Sequence, residues 1–305
     1  MKRWKTKLSA ILVIQLLAAA SLWALEHHRQ SSRQQSVLLA QVDPAQVRTL
    51  EISSGDDSVK IVKEGDGWLL PDYHNLPAHQ GNVSSLLEDL KELKSLEVVS
   101  RSENGHERFQ VTEEEPQAEL KLLAGDGQEL CRLLVGKNRS FGKAYLRKPG
   151  ESDVHVATWN VMGSRSKAEY WLDRSLLATK NVKSLEFPEF KMTKVEGKWE
   201  SGGEKLSLSA AKHLASQIEN FAVSKAVELE VPETSFKVVA VDTGDNRTTY
   251  SIFEHDEKQY VKTDGYDIAF QVYGNAAQQL RDASLDRLKP EEDEKKGGDD
   301  QSAAP

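Results

Sequence analysis

An internal repeat is the feature that most constrains how this chain can fold. Residues 47–52 correspond to residues 182–187, and a Gly-Trp turn follows each segment, at Gly67-Trp68 and at Gly197–Trp199. Each half then carries apolar residues at the i, i+3, i+4, i+7 and i+10 positions of a helix that packs on a sheet. These positions are Val83, Leu86, Leu87, Leu90 and Leu93 in the first half, and Ala211, Leu214, Ala215, Ile218 and Phe221 in the second.

The correspondence continues beyond the predicted helices, for which Asn82 and Ser209 are the expected N-caps. Strand patterns at 118–123 and 154–156 match those at 236–241 and 268–270. The pattern predicts an α+β chain with two tandem copies of a mixed sheet-plus-helix unit. We place these copies at residues 46–177 and 178–288.

The N-terminus has the features of a membrane anchor. Lys2, Arg3, Lys5 and Lys7 precede residues 8–25, which contain 18 residues without a formal charge. That length suits a transmembrane helix, and the preceding cations favour a cytoplasmic N-terminus. We therefore expect an anchor at 1–25 in a bacterial inner membrane, with the rest of the chain in the periplasm. A cleaved signal peptide, with Ala18 and Ala20 at its cleavage site, is the alternative.

The segments that flank the two copies are polar. Residues 26–45 predict a spacer, and residues 289–305 predict a disordered acidic tail. The chain carries a net charge of −8, and removing the four N-terminal cations leaves −12. A chain this acidic is a poor candidate for binding nucleic acid or anionic lipid. Cys131 is the only cysteine, which excludes an internal disulfide and predicts a buried, inert thiol.

The sequence contains no recognisable catalytic or metal-binding motif. None of its eight histidines forms a pair at helical ligand spacing, and His155 is predicted to point outward because it alternates with Val154 and Val156. We therefore predict a protein that is not an enzyme and has no cofactor, catalytic residue or metal site.

Four aromatic residues are candidate contacts for a ligand or partner: Trp68, Trp199, Tyr145 and Tyr260. They occupy matching places in the two copies. For the tryptophans, this duplication favours a role in closing a hydrophobic core over a role in binding.

Several short motifs together resemble the domain-of-unknown-function 4340 family. They are the strand at 47–52, the turn at Gly67-Trp68, the Leu-rich helix at 83–96 and the segments 118–122, 133–136, 144–147 and 170–174. The resemblance spans about residues 47–288. It implies a bacterial, single-span envelope protein, and for some members an association with a gliding-motility-type ABC export system. It assigns no catalytic residues.

Three functions remain open from the sequence. The leading hypothesis is an accessory protein that binds another envelope component, such as a transporter subunit. The alternative is a module that binds a glycan or envelope polymer through the four aromatic residues. A hydrolase with a dispersed site is the third.

Overall fold

The computed structural model describes residues 38–290, which form two compact units. The first unit comprises residues 38–72 and 80–170, and the second comprises residues 73–79 and 171–290. The predicted membrane anchor lies outside the described residues, as do residues 26–37 of the predicted spacer and 291–305 of the predicted tail. Between residues 38 and 290, no helix is both long and apolar enough to cross a bilayer.

Residues 38–170 contain ten strands, two α-helices and two short 3₁₀ helices. In chain order these are β1 (Leu38–Ala40), β2 (Thr49–Ser54), β3 (Asp57–Glu64), β4 (Gly67–Leu70), β5 (Leu76–Pro77), α1 (Gln80–Lys91), β6 (Leu93–Ser100), α2 (Asn104–Phe109), β7 (Ala118–Leu123), β8 (Glu129–Ser140), β9 (Lys143–Arg147), β10 (Val154–Thr158) and the 3₁₀ helices Val161–Ser164 and Ala168–Tyr170. Of these elements, β5 lies in the segment that belongs to the second unit.

Residues 171–290 repeat this succession. Its elements are β11 (Val182–Glu186), β12 (Lys191–Val195), β13 (Lys198–Ser201), β14 (Glu204–Lys205), α3 (Leu208–Glu219), β15 (Val223–Val227), β16 (Phe236–Asp242), β17 (Arg247–His255), β18 (Lys258–Thr263), β19 (Ala269–Val272), α4 (Ala276–Arg281) and the 3₁₀ helix Leu285–Leu288.

The two units have the same strand order. The strands of the first unit lie in the order β1-β6-β10-β9-β8-β7-β2-β3-β4, and those of the second in the order β15-β19-β18-β17-β16-β11-β12-β13-β14. Apart from β1 and β14 at the edges, each strand of one unit has a counterpart at the same place in the other. The pairs described within each sheet are antiparallel. The predicted α+β class with two sheet units is confirmed.

One amphipathic helix packs on each sheet because its apolar stripe falls on a single face. The buried residues of α1 are Val83, Leu86, Leu87 and Leu90, and those of α3 are Ala211, Leu214, Ala215 and Ile218. Leu93 and Phe221 are also buried but lie just beyond the helix ends.

Both predicted N-caps were wrong. Helix α1 begins at Gln80, so Asn82 lies inside it. Helix α3 is capped by Ser207, whose Oγ accepts a hydrogen bond from the backbone N–H of Ala210 at 3.4 Å. Ser207 and Ser209 are equally good cap residues, and only the backbone geometry chooses between them.

Two segments depart from the sequence-based division of the chain. Residues 38–40, within the predicted spacer, form β1 and pair with β6. Residues 171–177, assigned by the repeat to the first copy, lie in the second unit together with residues 73–79. There the backbone N–H of His79 donates to the carbonyl of Trp171 at 2.6 Å, and Trp171 is fully buried.

Candidate functional site

The two predicted tryptophans lie in hydrophobic cores. Trp68 in β4 is 6% exposed, and Trp199 in β13 is 3% exposed. The ammonium of Lys63, on the neighbouring strand, lies 5.9 Å from the centroid of the Trp68 ring. Because both rings are buried, neither offers an open face on which a sugar could stack.

The two predicted tyrosines lie in a second, smaller hydrophobic cluster in each unit. In the first unit this satellite cluster consists of Phe109, Val111, Leu134 and Val154, with Val99 and Tyr145 packed against them. In the second unit it consists of Phe253, Tyr260 and Ala269, with Val227, Leu229 and Val231 packed against them. The ring centroids of Tyr145 and Phe109 are 4.5 Å apart, and those of Tyr260 and Phe253 are 5.8 Å apart. Each tyrosine is thus a packing residue.

Each satellite cluster is covered by the segment that follows the strand after the helix. In the first unit this covering segment is residues 101–117, which include α2 and supply Phe109 and Val111. In the second unit it is residues 228–235, which supply Leu229 and Val231. A short segment without a helix therefore does in the second unit what a longer segment containing α2 does in the first.

Gly136 permits the covering segment of the first unit to approach β8 closely. A Cβ atom at this position would lie 2.0 Å from the carbonyl oxygen of Phe109 and 2.8 Å from Cγ1 of Val111. Any larger residue would therefore push the covering segment off the sheet. This gives a physical reason for the glycine in the motif at residues 133–136.

Arg147, at the end of β9, donates hydrogen bonds to both the covering segment and the loop after β9. The residue is 3% exposed. Its Nε donates to the carbonyl of Val111 at 2.7 Å, and its Nη1 donates to the carbonyl of Glu151 at 2.9 Å. Buried backbone carbonyls need donors, so this guanidinium is a structural element of the satellite cluster.

Glu113 extends this network at the surface. Its Oε1 accepts a hydrogen bond from the backbone N–H of Gly150 at 2.8 Å and lies 3.5 Å from Nη1 of Arg147. The hydrogen bond from Gly150, together with the positive charge of Arg147, lowers the pKa of the Glu113 carboxyl. Neither Arg147 nor Glu113 was predicted from the sequence as a site residue. The one sequence feature that could have indicated Arg147 is its position two residues after Tyr145, which places both side chains on the same face of the strand.

An open cleft of about 660 Å³ lies beside this network. Its lining includes the carboxylates of Glu103, Glu107, Glu113, Glu114 and Glu151. Such a surface can accept hydrogen bonds from cationic groups, but Arg147 and Glu113 are already engaged with each other and with the backbone. Among residues 38–290, no three His, Cys, Asp or Glu side chains are grouped as metal ligands. The cleft is thus an acidic surface built around a structural arginine.

The prediction that His155 points outward was wrong. The residue is 1% exposed, its Nδ1 lies 3.1 Å from Oγ of Ser95, and its buried Nε2 has no hydrogen-bond partner. Burial lowers the pKa of the imidazole. Alternation failed here because both faces of β10 are covered, with Val154 in the satellite cluster on the opposite face.

Cys131 lies in β8, where it is half-buried and opposite Leu122 of β7. Burial raises the pKa of its thiol to about 11. The reactive form of cysteine is the thiolate, so this side chain is a poor nucleophile at neutral pH.

These observations define a class of protein with two antiparallel sheet units, each packed on one amphipathic helix and each bearing a satellite cluster. Residues 68–235, more than half of the chain, match the family described as Domain of unknown function (DUF4340), and the chain belongs to that family. The matched range is narrower than the resemblance noted above, and it includes Trp68, Gly136 and Arg147. No curated protein and no solved structure matches the chain.

Proposed function

We propose that this protein is a non-enzymatic accessory component of the bacterial envelope, held in the inner membrane by residues 8–25. Its two sheet units form a periplasmic scaffold that binds a protein partner, a subunit of an ABC-type export system. The anchor proposal rests on the uncharged N-terminal run, and the partner proposal rests on the family resemblance. We also infer that the two units arose by duplication, because eight strands of each occupy the same places in its sheet.

The observation that best supports the accessory role is that the motif residues serve packing and backbone hydrogen bonding. Trp68 closes a core, Gly136 admits the covering segment, and Arg147 bonds that segment to a loop. Residues used in this way preserve a shape and do not supply reacting groups. A shape without reacting groups is what a protein that acts through its surface requires.

The alternative, binding of a glycan through stacked aromatic rings, receives less support. Trp68, Trp199 and Tyr260 are all less than one-tenth exposed, and Tyr145 packs against Phe109. Glycan binding would therefore require a different set of residues.

Location is tested by fusing alkaline phosphatase, which is active only after export, to the end of the full-length chain. The expected result is high phosphatase activity in the membrane fraction. A matched chain in which Lys2, Arg3, Lys5 and Lys7 are replaced by Glu should lose this activity if they orient the anchor. Activity in the soluble periplasmic fraction would instead indicate cleavage after Ala20. Activity in neither fraction would overturn the proposed location.

Partnership is tested by purifying the tagged full-length protein from its own host in mild detergent. Recovery of transporter subunits in fixed stoichiometry is expected. A control in which residues 8–25 are replaced by an unrelated apolar span separates contacts made by the anchor from those made by the two units. Recovery of the intact protein alone, under conditions that preserve other membrane complexes, would contradict the proposal.

A further inference from the structure

The hairpin formed by β8 and β9 ends in a tip whose residues are exposed to solvent. Residues 137–143 are seven consecutive exposed residues, with the sequence Lys-Asn-Arg-Ser-Phe-Gly-Lys. We call these residues the basic tip. Two register shifts lie between Val135 and Ser140, where β8 pairs with β9, so the pairing becomes irregular as β8 enters the tip.

Phe141 stands at the turn of this hairpin and is completely exposed, at 104% of its reference area. The turn requires a residue in the left-handed region at position 142, and Gly142 supplies it with a φ of 67°. Nothing in the turn requires an aromatic residue at 141. A large apolar side chain held fully in water indicates a surface that becomes buried in another environment.

The charge of the basic tip is positive although the chain as a whole is acidic. The tip carries Lys137, Arg139 and Lys143 and contains no acidic residue. Arg139 pairs with Glu97, so the ammonium groups of Lys137 and Lys143 provide the uncompensated positive charge. At physiological ionic strength, charges more than about 8 Å away are largely screened, so this local excess outweighs the net charge of the chain.

The equivalent hairpin of the second unit has the opposite character. The turn between β17 and β18 falls within five consecutive exposed residues, 254–258, with the sequence Glu-His-Asp-Glu-Lys. This acidic tip has three carboxylates and no apolar residue. Because both hairpins occupy the same place in their sheets, the fold does not impose the chemistry of the basic tip.

We propose that the basic tip docks on an anionic phospholipid surface. Phe141 enters the interface between headgroups and acyl chains, and Lys137 and Lys143 bind lipid phosphates. The tip is convex and only seven residues long, whereas a stable protein interface buries about 800 Å² on each partner. A bilayer surface can accept a small convex tip without matching its shape, and combined apolar and cationic contacts suit it.

This inference rests on the proposed envelope location, which brings the basic tip near a membrane. A single tip of this kind binds weakly, since each cation near an anionic surface strengthens binding roughly fivefold. Tethering by residues 8–25 would make the second contact intramolecular and so raise its occupancy.

The test uses the full-length protein with Cys131 replaced by Ser and a single cysteine introduced at the tip, Phe141→Cys. An environment-sensitive NBD fluorophore on this cysteine reports burial in lipid. The protein is incorporated into vesicles of phosphatidylcholine alone and of phosphatidylcholine with phosphatidylglycerol. The matched control carries the same fluorophore on the acidic tip, through Asp256→Cys.

We expect a blue shift and a several-fold increase in emission at position 141 in the phosphatidylglycerol vesicles, reversed by high salt. We expect no change at position 256. Lys137→Glu together with Lys143→Glu should abolish the response at 141 with an unchanged melting temperature, since both residues are exposed. The unlabelled wild-type protein should bind phosphatidylglycerol vesicles more tightly than its Phe141→Ser variant.

Equal emission at position 141 on both kinds of vesicle, or an equal response at position 256, would overturn the inference. A blue shift at position 141 that appears only when membrane proteins are added would also overturn the inference. It would indicate that the tip binds an acidic protein surface. Failure of the proposed anchor is a separate result, seen as full-length protein that does not float with neutral vesicles. In that case, flotation with phosphatidylglycerol vesicles and its loss in Phe141→Ser test the tip directly.

Discussion

The two satellite clusters provide the same packing by different means. Val135 of β8 lies opposite Leu146, and Ile252 of β17 lies opposite Val261. The next residues along these strands, Gly136 and Phe253, therefore occupy equivalent positions. In the second unit Phe253 itself packs on the repeated tyrosine. In the first unit the strand has no side chain there, and Phe109 of the covering segment supplies the aromatic ring.

The fold thus preserves the volume that is packed around the tyrosine, while the residue that fills this volume differs between the two units. A glycine in the strand and a longer covering segment compensate for each other, and either change alone would leave a cavity or a clash. The same freedom extends to the hairpin tips, where one unit is basic with an exposed phenylalanine and the other is acidic.

The largest expected effects come from removing the two aromatic rings. Phe109→Ala and Phe253→Ala should each lower the free energy of unfolding by about 3 kcal/mol, because both rings are more than nine-tenths buried. Hydrogen exchange should rise in β8 and β9 for the first variant and in β17 and β18 for the second. A loss below about 1 kcal/mol in either variant would break the proposed equivalence.

A somewhat smaller effect is expected for Arg147→Ala, about 2 to 3 kcal/mol, because one buried and one partly buried carbonyl lose their donors. The equivalent residue, Lys262, donates a single hydrogen bond to the carbonyl of Asp267 at 2.7 Å and is partly exposed. Lys262→Ala should therefore cost about 1 kcal/mol or less. Denaturant titration of both variants measures the two changes in the free energy of unfolding. Equal changes would show that the two cations contribute equally to stability.

Gly136→Ala should destabilise the first unit by about 1 to 3 kcal/mol, since its methyl group would overlap the backbone at Phe109. The matched control is Gly67→Ala, where the nearest atom to an added Cβ is 3.7 Å away. Hydrogen exchange in β8 should be faster in Gly136→Ala than in Gly67→Ala. Tolerance of alanine at 136 without change would mean that the close approach is not needed.

The smallest effect is a pH dependence of stability that we assign to His155 in the first unit. Because the folded-state pKa of His155 is lowered, the unfolded chain binds more protons, and stability falls as pH drops below about 6.5. The paired carboxyls of Glu113 and Glu186 also have lowered pKa values, but they lose their contribution at lower pH. Thermal unfolding between pH 7 and 5 should show the decline in the wild type. His155→Phe should flatten it, and an unchanged slope in this variant would contradict the assignment.

The regular elements followed from the sequence because burial of one face imposes a period on apolar residues. The stripe Val83, Leu86, Leu87 and Leu90 identified α1, and matching patterns 115 to 135 residues apart identified the repeat. The tryptophans were placed correctly in the core role that their duplication favoured. The start of α3 was missed by two residues because Ser207 and Ser209 have similar cap propensity, and the start of α1 was missed by three.

The class of the fold, its two sheet units and the family of the chain therefore followed from the sequence alone. Three features depended on tertiary contacts: the burial of His155, the hydrogen bonds from Arg147 to two backbone carbonyls, and the full exposure of Phe141 between two lysines. The alternation of apolar residues along a strand shows only that one of its faces is covered. Whether the other face is also covered, as at His155, or whether nothing covers a turn, as at Phe141, depends on segments that are distant in sequence.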